Sequence, residues 1–147
     1  MRKMIFVNLP VADVARATGF YRGLGFEQDP RFSNDVASAM VWSDTITFML
    51  LGHDFFAGFT PRPIADSHAV TAHLFALSFD GRDEVDAFAA RAQQAGGTVD
   101  VRAPQDMGFM YVRAVADPDG HILEPMWMDV AAFQQPAAQQ QADQRAA

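Results

Sequence analysis

The chain contains no cysteine among its 147 residues, which excludes disulfide frameworks, thiolate metal sites and cysteine nucleophiles. It also lacks an apolar run of membrane-spanning length. The opening Met1-Arg2-Lys3 leads straight into the strand-like Ile5-Phe6-Val7 with no signal-peptide core between them, so a soluble, cytoplasmic protein is expected. Basic residues are few: 11 Lys and Arg stand against 18 Asp and Glu, for a net charge of −7. Without a basic stripe the chain is not built to hold a nucleic-acid backbone, which leaves small molecules or other proteins as partners. What is present is apolar. Half of the residues are hydrophobic, enough for one well-cored domain or two small packed modules.

Residues 3–11 alternate as a strand, with Ile5, Val7, Leu9 and Val11 on one side. Asp13 then reads as a helix N-cap, because Val14, Ala17, Tyr21 and Leu24 recur at helical spacing until Gly23-Leu24-Gly25 ends the run. Strands over 26–30, 36–42 and 45–51 complete a β-α-β-β-β module at residues 1–52. Residues 53–71 form a connector without a sustained period. Its Phe55, Phe56 and Phe59 cover a groove, meet a second subunit or plug the end of the core. The pattern restarts at residue 72. A strand over 74–79, a helix over 82–94 with Val85, Phe88, Ala89 and Ala92 inward, and strands over 98–103, 109–116 and 121–128 give a second β-α-β-β-β module at 72–129. Acidic side chains at Asp80, Asp83, Glu84 and Asp86 suit that helix's N-terminus. Residues 130–147 are an Ala/Gln-rich tail, flexible or loosely docked. The duplication predicts an α+β fold in which two βαβββ modules form a curled mixed sheet around a cleft.

Asp117-Pro118-Asp119-Gly120 reads as a tight turn between antiparallel strands. In the strand after it Ile122, Glu124 and Met126 share one side, while Leu123, Pro125 and Trp127 share the other. Glu124 thus sits among apolar residues, and it must be paired, bound to a cation or held protonated. Pro125 takes a donor out of this strand and predicts a bulge there. His121 faces away from Glu124 as a turn residue, and His53 and His68 lie in the connector. Arg102, Arg113, Arg62 and Lys3 are the cations available for an anion contact.

Leu9-Pro10-Val11-x-Asp13, Phe20-Tyr21-x-x-Leu24-Gly25-Phe26 and Asp117-Pro118-Asp119-Gly120-His121-Ile122-Leu123-Glu124, carried on two βαβββ repeats, resemble the vicinal oxygen chelate superfamily over residues 4–128. That superfamily includes glyoxalase I, extradiol dioxygenases, fosfomycin-resistance enzymes and bleomycin-binding proteins. The resemblance implies curled sheets around a U-shaped cavity, usually in a homodimer, and in many members a divalent metal held by His, Glu or Gln from the first and last strands of each module. Carried over residue by residue, the ligand positions fall on Phe6, Met49, Leu74 and Glu124. One carboxylate cannot replace the hydration shell of a cation that needs several donors at about 2.0–2.2 Å. If a metal is bound, Glu124 and His73 are the residues to hold it. The cavity expected from strand parity is lined by Phe6, Asn8, Thr47, Met49, Leu74, Ala76, Ser78, Ile122, Glu124 and Met126, with Tyr111 on the neighbouring strand as a proton donor. Glu124 is the candidate general base. The leading expectation is a small-molecule-binding protein with no metal cofactor. The alternatives are a metal-dependent lyase, isomerase or dioxygenase using Glu124 and His73, and a non-catalytic dimerisation or interaction module.

Overall fold

The computed structural model describes residues 1–133 and 145–146. The first module runs β1 (Ile5–Val11), α1 (Val14–Gly23), β2 (Glu27–Asp29), a single 3₁₀ turn at Pro30–Phe32, β3 (Ala37–Ser43) and β4 (Ile46–Gly52). Asp13 caps α1 by accepting a hydrogen bond from the Arg16 amide, and Gly25 leaves the helix at φ 97°, a conformation that needs glycine. The sheet order is β1-β4-β3-β2, with β1 parallel to β4 and the other pairs antiparallel.

The connector contains a short helix that the sequence pattern does not reveal, α2 (His53–Ala57). The second module follows as β5 (Leu74–Phe79), α3 (Arg82–Gln94), β6 (Thr98–Val99), β7 (Gln105–Asp106), β8 (Met110–Val112), β9 (Val115–Ala116) and β10 (Ile122–Met128), and then α4 (Val130–Phe133). Its sheet runs β6-β9-β10-β8-β7, with β5 parallel to β10 on the other flank. Most of the expected tail falls at residues 134–144 and 147, outside the described residues. Among those described, no helix is long and apolar enough to cross a membrane.

Two predicted strands are shorter than expected. The strand over 98–103 stops at Val99, because Asp100 adopts φ 55° and turns the chain. The strand over 109–116 is divided into β8 and β9 at Arg113–Ala114. Pro125 explains the second break. The Arg113 amide donates to the Pro125 carbonyl at 3.1 Å, so the side of Pro125 that lacks an N–H also points toward β8 and β9. A residue's N–H and C=O share one side of a strand, so the missing donor interrupts the neighbour. No bulge results: Arg113 stays opposite Pro125, the register is the same on either side of it, Val112 with Met126 and Val115 with Leu123, and the pairing of Glu124 with Ala76 and of Met126 with Ser78 continues unbroken.

Both modules send their helix-facing side chains into one shared core. Leu9, Val11, Phe20, Tyr21, Phe48 and Leu50 come from the first; Leu77, Phe88, Ala92, Val115 and Leu123 come from the second. Aromatic contacts cross between them, with ring centroids 5.1 Å apart for Phe48 and Phe75 and 5.5 Å for Trp42 and Phe79. The helix ends meet at very small residues. A Cβ on Gly97 would lie 2.6 Å from the Phe20 ring, and one on Gly23 would lie 2.9 Å from the Ala95 methyl.

A buried polar clasp locks this arrangement. Tyr21 Oη donates to Asp117 Oδ2 at 2.8 Å, and Asp117 Oδ1 accepts the amides of Asp119 and His121, each at 2.9 Å. The His121 Nε2–H donates to the Pro10 carbonyl at 2.8 Å, and the Ala12 amide donates to Asp119 Oδ1 at the same distance. The turn expected at 117–120 is present, and it grips the other module. Burial first, and then the neighbouring Asp117 carboxylate, push the Tyr21 hydroxyl well above the ordinary phenol range. Burial also raises Asp117, outweighing its hydrogen bonds.

A raised phenol pKa in the folded state contributes stability that is complete below the ordinary value of 10.0 and is lost as pH rises through the folded value. Tyr21→Phe should therefore cost about 1–2 kcal/mol at neutral pH. It should also flatten the alkaline decline above pH 10.0 relative to the parent. Urea unfolding midpoints measured across that range check both effects.

Candidate functional site

Strand parity places the expected cavity residues on the sides of the two sheets turned away from the shared core. The hollow seen among the described residues is lined by the first module alone. Phe6, Asn8, Thr47 and Met49 come together in a hollow of about 540 Å³ on the first sheet. Ala39 and Val41 of β3 extend its floor, and Met4, Phe32, the Asp29–Arg31 pair and the Ser43-Asp44 turn form its rim. Arg31 is held by both carboxylate oxygens of Asp29, at 3.0 and 2.7 Å. The hollow is apolar at its base, where Phe6 is 56% exposed, and Asn8 contributes an amide to its lining.

Leu74, Ala76, Ser78, Ile122, Glu124 and Met126 share the open side of the second sheet, in the register Leu74 with Ile122, Ala76 with Glu124 and Ser78 with Met126. Leu74 is 53% exposed. Tyr111 is not among them. It pairs in register with Trp127, which puts it on the α3 side, where its hydroxyl donates to Asp86 Oδ1 at 2.8 Å and Arg82 lies over its ring. The cavity assignment of Tyr111 is therefore corrected: the register runs unchanged past Arg113–Ala114, and opposite Trp127 its side chain falls on the other side of the sheet from Glu124 and Met126.

Glu124 has a partner that strand parity does not show. Arg102 Nη2 donates to Glu124 Oε2 in a very short contact, and neither Asn8 nor Ser78 is its partner. Of the fates open to an inward carboxylate, pairing is the one realised. Arg102 escapes sequence reasoning because the strand predicted to contain it ends at Val99, and the left-handed turn at Asp100 redirects the chain across Ala114. Asp100 itself is bound by Arg113 Nε and Nη2 at 3.1 and 2.9 Å, so Arg113 serves the surface and does not join Arg102.

His73 does not approach Glu124. Its ring stacks on His121 with centroids 5.9 Å apart and on Phe75 at 4.4 Å, and burial lowers its pKa. Among the described residues no group of three or more His, Cys, Asp or Glu side chains is placed to hold a metal ion. The positions to which a metal is carried over hold a phenyl ring, a thioether, an aliphatic chain and a carboxylate already bound by a guanidinium. That donor set does not fit a divalent cation. His53 and His68 are exposed, as expected of the connector. Phe55 and Phe59 stack edge to face at 5.2 Å and stay 42% and 68% exposed, so they do not plug the core.

The paired βαβββ modules, their curled mixed sheets and these open faces define a class of protein before any comparison is made. The chain belongs to the Glyoxalase/Bleomycin resistance protein/Dioxygenase superfamily, whose sequence model matches residues 3–124. Solved structures agree on the fold. A hypothetical protein from S. aureus is 22% identical, with 86% of this chain and 94% of that one covered and a TM-score of 0.73. A glyoxalase-related enzyme from Fulvimarina pelagi is 19% identical over 86% and 88%, with a TM-score of 0.72. TnmS3, an antibiotic binding protein from Streptomyces sp. CB03234, is 20% identical over 87% and 97%, with a TM-score of 0.60. No curated protein matches the chain in sequence.

Because Arg102 and Glu124 are each partly shielded from water, removing one member strands the other. In a double-mutant cycle, Glu124→Leu and Arg102→Met should each destabilise more than the pair together, with a coupling of about 1 kcal/mol. Urea unfolding of the four proteins measures it.

Proposed function

We propose that the chain binds a small, largely apolar organic molecule in the hollow over β1 and β4, without a divalent metal, and that a second copy of the chain closes the hollow with the open side of its second module. The observation that carries this reading is the hollow itself. About 540 Å³ of concave space with Phe6 and Met49 at its base matches the usual make-up of a small-molecule pocket, a greasy lining with a few placed polar groups. Asn8, Thr47 and Ser43 supply those groups. Met4 and Met49 let the lining adapt to an irregular ligand. The antibiotic-binding relative supports the same use of the fold.

The homodimer is supported by exposure. Phe6 and Leu74 sit on the open sides of different sheets and are each more than half exposed. Laying one copy's second module over another's first would cover both at once, and would do so twice in a two-fold pair.

Protein purified without chelator should carry only substoichiometric transition metal by elemental analysis, and a full equivalent would overturn the metal-free reading. Nile red, a neutral apolar fluorophore, should bind with saturable enhancement. Met49→Glu should weaken it at least about tenfold by setting a carboxylate in the apolar base. Unchanged affinity would place the ligand elsewhere.

The assembly has its own test. Sedimentation equilibrium should give twice the chain mass, and Leu74→Glu should shift the protein toward monomer. A parent that sediments as a monomer at high concentration would remove the second copy from the proposal.

A further inference from the structure

We propose that Arg102 is a ligand-binding residue of the second module's open face, and that it takes a neutral carbonyl oxygen rather than an anion. The inference rests on the small-molecule reading above and names the chemistry of one end of the ligand. Glu124 takes Nη2 of the guanidinium, while Nη1 is buried and has no hydrogen-bond partner among the described residues. A shielded donor left unmatched is costly, so an acceptor that reaches it is favoured. The Arg102 side chain as a whole is 37% exposed and Glu124 only 16%, so the guanidinium is reached from the open face beside its carboxylate, and a ligand oxygen would engage Nη1 by drawing it outward. That face carries Ala76, Ser78, Ile122 and Met126 around the pair, side chains that suit an apolar body attached to the acceptor.

Charge decides which acceptor. Arg102 and Glu124 together are neutral, so the site offers a directed N–H without net positive charge. An incoming carboxylate would lie close to the Glu124 carboxylate on a chain that already carries a net charge of −7. A ketone, amide or quinone oxygen meets the same donor with no such repulsion.

Acetophenone and benzoate test this, because they share a phenyl ring and differ in bearing a neutral carbonyl or a carboxylate. Full-length protein labelled with ¹³C at the methionine methyls reports the two regions separately, Met126 for the second face and Met49 for the hollow. Acetophenone should shift the Met126 methyl with a Kd at least about tenfold below that of benzoate. Arg102→Met should remove the Met126 response, and Glu124→Gln, which leaves the guanidinium charge uncompensated, should reverse the preference in favour of benzoate. A parent that prefers benzoate, or an Arg102→Met variant whose Met126 response is unchanged, overturns the assignment. A shift at Met49 alone also overturns it but leaves the hollow as a ligand site, and silence at both methyls counts against the hollow as well.

Discussion

The contact between Tyr21 and Asp117 carries more of this structure than its single hydrogen bond suggests. It joins the last turn of the first helix to the last turn of the second module, across 96 residues of sequence. Around it the Pro10 carbonyl and the Ala12 amide, at the junction of β1 and α1, are satisfied by side chains from residues 119 and 121. These bonds tie the entry of α1 to the hairpin of the second module. The shared aromatic core then has a defined register, because the clasp fixes one module's helix against the other's hairpin. A network of this kind is favourable only when complete, and here each member is matched except Asp119 Oδ2.

This division of labour explains which parts of the molecule were legible in the sequence. Helices α1 and α3 follow directly from periodicity and glycine stops, and the open-side residues of β1, β4, β5 and β10 follow from alternation, because these long strands keep strict parity. The short strands do not. Asp100 sits where the chain departs from regular pairing, and side chains beyond that point lose their predicted side. Arg102 was overlooked as the partner of Glu124 for this reason, whereas Tyr111 was misplaced because sequence alone does not give its register against Trp127, and so its side of the sheet. The motif at 117–121 was legible as a turn, but its role as a clasp was not. Sequence spacing says nothing about Tyr21 and Pro10 lying beneath it. Likewise, parity names which residues share a side of a sheet, but not that the two open sides look outward from one core.

The chemistry of the open faces follows from the same geometry. Within this superfamily's fold, the positions to which metal ligands are carried over hold carbon and sulfur on three strands, and a fixed ion pair on the fourth. A guanidinium differs from a metal ion in what it can offer. It presents directed N–H donors, it cannot exchange ligands, and its charge here is balanced by Glu124. The surface that results offers an apolar expanse with a small number of directed hydrogen-bond donors and acceptors.

The two halves of the duplication have also come to differ in one telling place. The turn at 117–120 is enclosed, and Gly120, at φ 90°, would bring any added Cβ within 2.7 Å of the Ser67 and His68 backbone. Its counterpart at Ser43-Asp44 is open to water and sits on the rim of the hollow. Lengthening or recolouring that rim leaves the seam between the modules untouched, so a lineage of such proteins could vary it freely without unsettling the architecture beneath.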